Sequence, residues 1–358
     1  MAKMKLTKDL VEAAVVGGSV LGGGGGGSMA EGLPMAMQAV EISELELVDG
    51  EDLPDDGVLI NVSAVGAPSA KTMFATPQDY ADAVKNLCHF SNMEAAGIIT
   101  NEMGGLATVN GWLQAALLGL PVVDMPSNGR AHPTGVMGAM GLHAEEGYTS
   151  VQAAIGGNPA FGRRVELVVR GTIDNASSQV RTASVLAGGF VAVARNPVTV
   201  AYAKEHSAAG AVKQALGLGQ AMLAARDKGG EAVIEAVCQN LGAKVLHKGV
   251  VDKVELVCKG GFDVGTVTFG DFELTFWNEY MTAEKDGKRL GTFPELLMTL
   301  DAKTGWPVTS AAIEEGQEIA VICAPAENIH LGAGMKDPAL FTCCEEAVGK
   351  EIISYAFK

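Results

Sequence analysis

Two textures of apolar and polar positions divide the chain. In the first, short apolar runs alternate with longer stretches of helical period. The runs 57–65 (GVLINVSAV), 95–100 (AAGIIT) and 121–124 (PVVD) read as short strands. Thr76-Pro77-Gln78-Asp79 opens a helix to about 89, with a capping threonine and proline at the first helical position, and 104–119 reads as another helix. Thr7 caps a helix through about 16, which Gly17-Gly18 stops, and Pro34 marks the first turn of the next. This alternation predicts an α/β N-terminal domain with a mixed, partly parallel sheet over residues 1–163. Beyond it, 165–169 and 190–194 are strand-like, and 208–226 and 231–241 form a helical insert around 207–241. Strands then dominate, at 244–247, 250–258, 272–277, 296–300 and 318–323, with turns such as 285–288 between them. The second half, 164–358, is expected to be a β-rich α+β C-terminal domain.

Composition narrows what such a chain does. With 358 residues it suits two domains, and 48% apolar residues suffice for sizeable cores. A net charge of −16 repels phosphate backbones and anionic membrane surfaces, so neither nucleic acid nor membrane is expected as a partner. Six cysteines without a CxxC pair are no disulfide framework, and none sits in a context that marks a nucleophile. A reducing cytoplasm is the expected compartment. Lys3, Lys5 and Lys8 precede an apolar stretch, but Asp9, Glu12 and Gly17-Gly18 interrupt it, against a signal peptide. Only 19% of residues are charged, from which a homo-oligomer is expected.

Three segments carry candidate chemistry. Six consecutive glycines at 22–27 precede Ser28. Ordering them costs entropy, which is worthwhile when backbone N–H groups must converge on a ligand, so Gly24, Gly25, Gly26, Gly27 and Ser28 are substrate-binding candidates; the other reading is a flexible loop. A phosphate loop would need lysine where Ser28 stands, which argues against nucleotide binding. Glu102 follows a predicted strand, at the edge where open α/β sheets bind ligands. It is a candidate acid, base or metal ligand, or else a carboxylate offsetting a helix dipole. Asp124 ends another predicted strand and opens a loop holding Arg130 and His132. Asp124 and His132 are catalytic candidates and Arg130 a clamp for a substrate carboxylate, against a loop pinned by its own Asp–Arg pair. Glu102, Asp124, His132 and His143 are the candidate ligands for a divalent metal such as zinc. Asn278 and Glu279 follow a predicted strand and either face the same cleft or merely end the strand.

Seven segments, in order, carry a resemblance. They are LGGGGGG (21–27), NEMGG (101–105), GLPVVDMPSNGRAHP (119–133), ASVLAGG (183–189), HKGVVDKVE (247–255), WNEYM (277–281) and GTFPELLMTLDAKTGWPV (291–308). The chain resembles the S-methyl thiohydantoin desulfurase family, whose genes commonly lie beside those of hydantoinase/oxoprolinase enzymes. The resemblance implies an α/β domain followed by a β-rich one. It also implies hydrolysis of a hydantoin-like or thiohydantoin-like cyclic amide, with a divalent metal as a candidate cofactor. The chain departs from the family pattern at Pro126-Ser127, where relatives carry Asp-Gly, and in the segment between Ser28 and Pro34.

Two readings of function follow. In the first the chain is a hydrolase, with glycine amides stabilising developing charge, Glu102 or Asp124 activating water, His132 moving a proton and Arg130 holding a carboxylate. In the second it binds the same metabolite without turnover, as the partner of a hydantoinase/oxoprolinase-type enzyme.

Overall fold

The structure, a computed structural model, describes residues 3–66 and 72–357. The N-terminal half is built on an eight-stranded mixed sheet. In spatial order the strands are Met4–Leu6, Leu45–Val48, Val122–Val123, Gly97–Thr100, Val58–Gly66, Phe190–Thr199, Ser150–Gly156 and Val165–Gly171. The four from Leu45–Val48 to Val58–Gly66 are parallel and the remaining pairs antiparallel. The sheet therefore runs on past residue 163, through two strands that lie later in the chain. In the parallel strands Leu59–Ser63, Gly97–Thr100 and Val122–Val123 are buried without alternation, as expected where helices cover both faces.

The C-terminal half is strand-rich and antiparallel. A five-stranded meander runs from Lys253–Lys259 through Phe262–Phe269, Phe272–Trp277 and Glu279–Lys285 to Lys288–Thr292. A four-stranded sheet follows the order Pro307–Val308, Leu296–Asp301, Glu318–Ala324, Lys244–Val250. Strand period decides what each face of this second sheet covers. Leu297, Ile319, Val321 and Cys323 join the meander's core with Phe269, Phe272 and Phe276. Leu296, Met298, Leu300, Ala320 and Ile322 join the main core, which also contains the N-terminal helices. The two halves thus share apolar interior.

Glycine governs how the helices meet. The first helix, Lys8–Leu21, does not stop at Gly17-Gly18 but passes through them. A Cβ on Gly17 would lie 1.9 Å from the carbonyl oxygen of Ala215, and one on Gly219 would lie 1.9 Å from that of Ala13. The pair lets this helix cross Ala211–Ala225, from the second half, at backbone contact. Packing outweighs the modest propensity cost of glycine inside a helix. The next helix, Met29–Ile42, starts earlier than Pro34 suggests. Ser28 and Glu31 form a capping box at its start, and Pro34 lies inside the helix. The stretch 104–119 is a short turn, Ala107–Val109, and a helix Trp112–Leu118, separated by Gly111 at φ 122°. Thr76 caps Pro77–Ser91 through its expected box with Asp79. Among the described residues no helix is long and apolar enough to cross a membrane. All six cysteines are free.

Candidate functional site

A cavity of about 420 Å³ opens where the carboxyl ends of Val58–Gly66 and Gly97–Thr100 meet the C-terminal half. The glycine loop forms one wall, and Glu102, His132, Asn278 and Glu279 also line it. It sits at the sheet edge where parallel α/β architectures bind ligands.

The loop is pinned. The Gly23 carbonyl accepts from Tyr280 N at 2.8 Å, that of Gly24 from Ser310 N at 3.0 Å, and that of Gly26 from Ala107 N at 3.0 Å. Three carbonyls are thereby turned into the protein, while the amides of Gly24, Gly26 and Gly27 have no acceptor among the described residues. Two positions show why side chains are excluded. A Cβ on Gly25 would lie 2.0 Å from Glu279 Oε1. Gly26, at φ 77°, presses on Gly104, where a Cβ would lie 2.2 Å from the Gly26 oxygen. NEMGG and the glycine run are therefore two sides of one contact.

Two of the carboxyl groups that line the cavity, Glu102 and Glu279, sit in unlike settings. Glu102 Oε2 accepts from the His132 amide at 3.1 Å and lies 3.5 Å from His132 Nδ1. Burial pushes the Glu102 carboxyl up to about 7, with the His132 amide, Arg195 and Arg130 pulling the other way. Glu279 is 2% exposed and its Oε2 has no hydrogen-bond partner. Burial, reinforced by the nearby Glu102 charge, holds its carboxyl well above the usual range. Both carboxyls are thus displaced toward the protonated form, Glu102 with its midpoint near neutrality, a setting suited to acid–base work.

A buried relay orients His132. Asn61 Nδ2 donates to Asn101 Oδ1 at 3.0 Å and to Ser127 Oγ at 2.8 Å. Asn101 then turns Nδ2 toward His132 Nε2, 3.3 Å away. The network assigns the imidazole proton to Nδ1, on the side of Glu102. Burial pushes the imidazole down to about 4, so the ring is neutral at pH 7. Ser127 does not line the cavity: its side chain reaches the site through Asn61 and Asn101 and its amide donates to the Thr100 carbonyl, so the departure from the family pattern at Pro126-Ser127 lies behind the cavity wall.

The remaining candidates are engaged in structural contacts, some of them away from the cavity. Asp124 does not line the cavity: it accepts from Val212 N at 2.8 Å and Lys213 N at 3.3 Å, occupying the N-terminus of Ala211–Ala225. Arg130 is fully buried, with Nη1 donating to the carbonyl of Pro294 at 2.8 Å and to that of Glu295, and its head lies 4.4 Å over the Phe293 ring. Its guanidinium braces the back of the glycine loop rather than facing the cavity. His143 pairs with Asp337 at 2.8 Å. Asn278, at φ 55°, holds a turn by accepting from Asp263 N at 2.9 Å. Ser28 lines the cavity and caps its helix. Among the described residues, no three His, Cys, Asp or Glu side chains are grouped to hold a metal ion.

Sequence reasoning passed over Arg195, Arg181 and Asp263, which also line the cavity. Arg195 had a signal: it is the one charge in the strand FVAVARNPVT and follows five apolar residues. Asp263 and Arg181 are brought in by tertiary contact alone.

Comparison with known proteins adds the following. The model of the S-Me-THD-like N-terminal domain matches residues 9–160, and that of the S-Me-THD-like C-terminal domain matches residues 172–335. No curated protein matches the sequence. A crystal structure of a protein from Chromobacterium violaceum superposes with a TM-score of 0.68 at 22% identity, covering 90% of this chain and 92% of that one. The likeness extends to the fold.

Proposed function

The chain belongs to the S-Me-THD-like family, and from this premise we propose that it is a hydrolase that removes a sulfur substituent from a thiohydantoin-like cyclic amide. The observation that supports this reading most is a pair of buried carboxyl groups, Glu102 and Glu279, both displaced toward the protonated form and lining one cavity beside unengaged backbone amides.

In this mechanism Glu102, ionised, takes a proton from water as the water oxygen bonds to the ring carbon that carries sulfur. It passes that proton to the adjacent ring nitrogen. Glu279 gives its proton to the sulfur as the C–S bond breaks, then takes the hydroxyl proton as the ring carbonyl forms. Water and the S-methyl ring become the ring amide and methanethiol, and both carboxyls return to their starting states. Negative charge that develops on the ring faces the amides of Gly24, Gly26 and Gly27, and each well-aimed donor contributes about 3 kcal/mol in such a setting. Neutral His132 holds Glu102 through its backbone N–H.

The test is release of methanethiol from an S-methyl thiohydantoin, followed with a thiol reagent. Turnover is expected, with Glu102→Gln and Glu279→Gln each reducing it by about a hundredfold or more. Tight binding of the ring without turnover at any pH would overturn the hydrolase reading and favour a metabolite-binding partner of a hydantoinase/oxoprolinase-type enzyme.

A further inference from the structure

Arg195 is 3% exposed and lies within a sheet, opposite Asn61 on one side and Gln152 on the other. Its Nε and Nη2 have no hydrogen-bond partner, and among the described residues no carboxylate pairs with it. A guanidinium is expensive to bury without a counter-charge. Arg130 answers that cost with backbone carbonyls; Arg195 has no such cage, yet it lines the cavity. Arg181 lines it too, with Nη1 on the Gly261 carbonyl at 2.9 Å and its head 4.0 Å over the Phe262 ring. Arg195 remains cationic, since burial lowers it only to about 10.

Among the described residues none of the carboxyl groups of the same wall, Glu31, Glu102, Asp263 and Glu279, hydrogen-bonds or ion-pairs with either guanidinium. Glu279 and Asp263 are pushed toward the protonated form by burial, and Glu102 is near its midpoint. Arg195 thus presents a guanidinium without a hydrogen-bonded counter-ion to the cavity of a chain whose net charge is −16. Global charge does not attract an anion here, so the local arrangement must do so.

We propose that Arg195, seconded by Arg181, binds a carboxylate carried by the substrate, so that the ring acted on is an acidic one, such as a hydantoin or thiohydantoin with a carboxyalkyl arm. The identity of the ring rests on the hydrolase reading; the anion site does not. Guanidinium is well matched to a carboxylate, and the arm would fix which ring edge meets Glu102 and Glu279.

Calorimetry on the full chain tests this with three probes: hydantoin bearing an acetate arm at its saturated ring carbon, the methyl ester of the same compound, and succinate. The wild type is expected to bind the acid about 30-fold more tightly than the ester, the range of a charge-assisted hydrogen-bonded pair. R195Q should reduce that preference to about threefold or less while leaving ester affinity unchanged, and R195K should keep part of it. A melting curve for each variant confirms that the fold is intact, and should R195Q fail to fold, R195K and R181Q carry the comparison. Equal affinity for acid and ester in the wild type, preference retained in R195Q, or no binding of any probe overturns the proposal. Arg195-dependent binding of succinate without binding of either hydantoin supports the anion site and sinks the cyclic-amide reading instead.

Discussion

Substituting Gly25 by alanine puts a methyl group where the Glu279 carboxylate now stands. The Cβ would lie 2.0 Å from Oε1 and 2.7 Å from Cδ, whereas ordinary contact begins at 3.4 Å. The carboxylate must therefore retreat by about 1.4 Å, because Glu279 leaves little room to share. Gly25 is not among the loop glycines with positive φ, so alanine is tolerated by the backbone there and the clash is the whole effect. An overpacked contact of this kind costs about 1–3 kcal/mol of stability. The kinetic effect is larger: a catalytic group misplaced by about 1 Å costs on the order of a hundredfold in rate. Steady-state methanethiol release by Gly25→Ala should show kcat reduced by about that factor, with a melting temperature only a few degrees below wild type. Turnover within about threefold of wild type in a folded variant would refute the assignment of Glu279 to the chemistry.

Other outcomes follow from the same geometry. With Glu102 as base at about 7, kcat/KM should rise with pH through that region, and a flat profile between pH 5 and 8 speaks against it. Because folding raises the proton affinity of Glu102, the stability tied to it is present at low pH and is lost as pH rises through about 7. Glu102→Gln should therefore be more stable than wild type at pH 8, and urea titrations should show the difference closing toward pH 5. Asp124→Ala removes the acceptor for Val212 N and Lys213 N; it should cost about 1–2 kcal/mol in urea denaturation and leave kcat/KM within about threefold. Asn61→Ala strips the donor from Asn101 Oδ1, freeing Asn101 to flip; turnover should fall about tenfold and the acidic limb of the pH profile should move, whereas a merely structural loss would leave the limb in place.

Local signals in the sequence reached as far as local physics does. Apolar runs located Val58–Gly66, Gly97–Thr100 and Val122–Val123, and Thr76-Pro77 located the helix it caps, because burial and capping are decided within a few residues. The capping box Ser28-Met29-Ala30-Glu31 was equally local, but Pro34 drew attention away from it. Glu102 was found from its place after a parallel strand. The same logic applied to Asp124 identified the right sheet edge, yet a helix N-terminus arriving 88 positions later takes its carboxylate. Arg130 is claimed by carbonyls more than 160 residues away. The partners of Gly17, Gly25 and Arg195 likewise come from distant segments, and no window along the chain contains them. Family resemblance supplied the order of the motifs but not which side chains meet.

The crossing of Gly17 against Ala215, and of Gly219 against Ala13, also sets a timetable for biosynthesis. At ribosomal rates of about 5–20 residues per second, the first helix emerges roughly 10–40 seconds before its partner exists. Meanwhile Val58–Gly66 waits for Phe190–Thr199, its neighbour in the sheet. The leading half of the nascent chain must spend that interval with the Ala13–Gly17 face of its first helix uncovered, which makes it a natural client for holding chaperones. Expressed alone, residues 1–163 should be recovered as aggregate, and co-expression with the trailing half should rescue them.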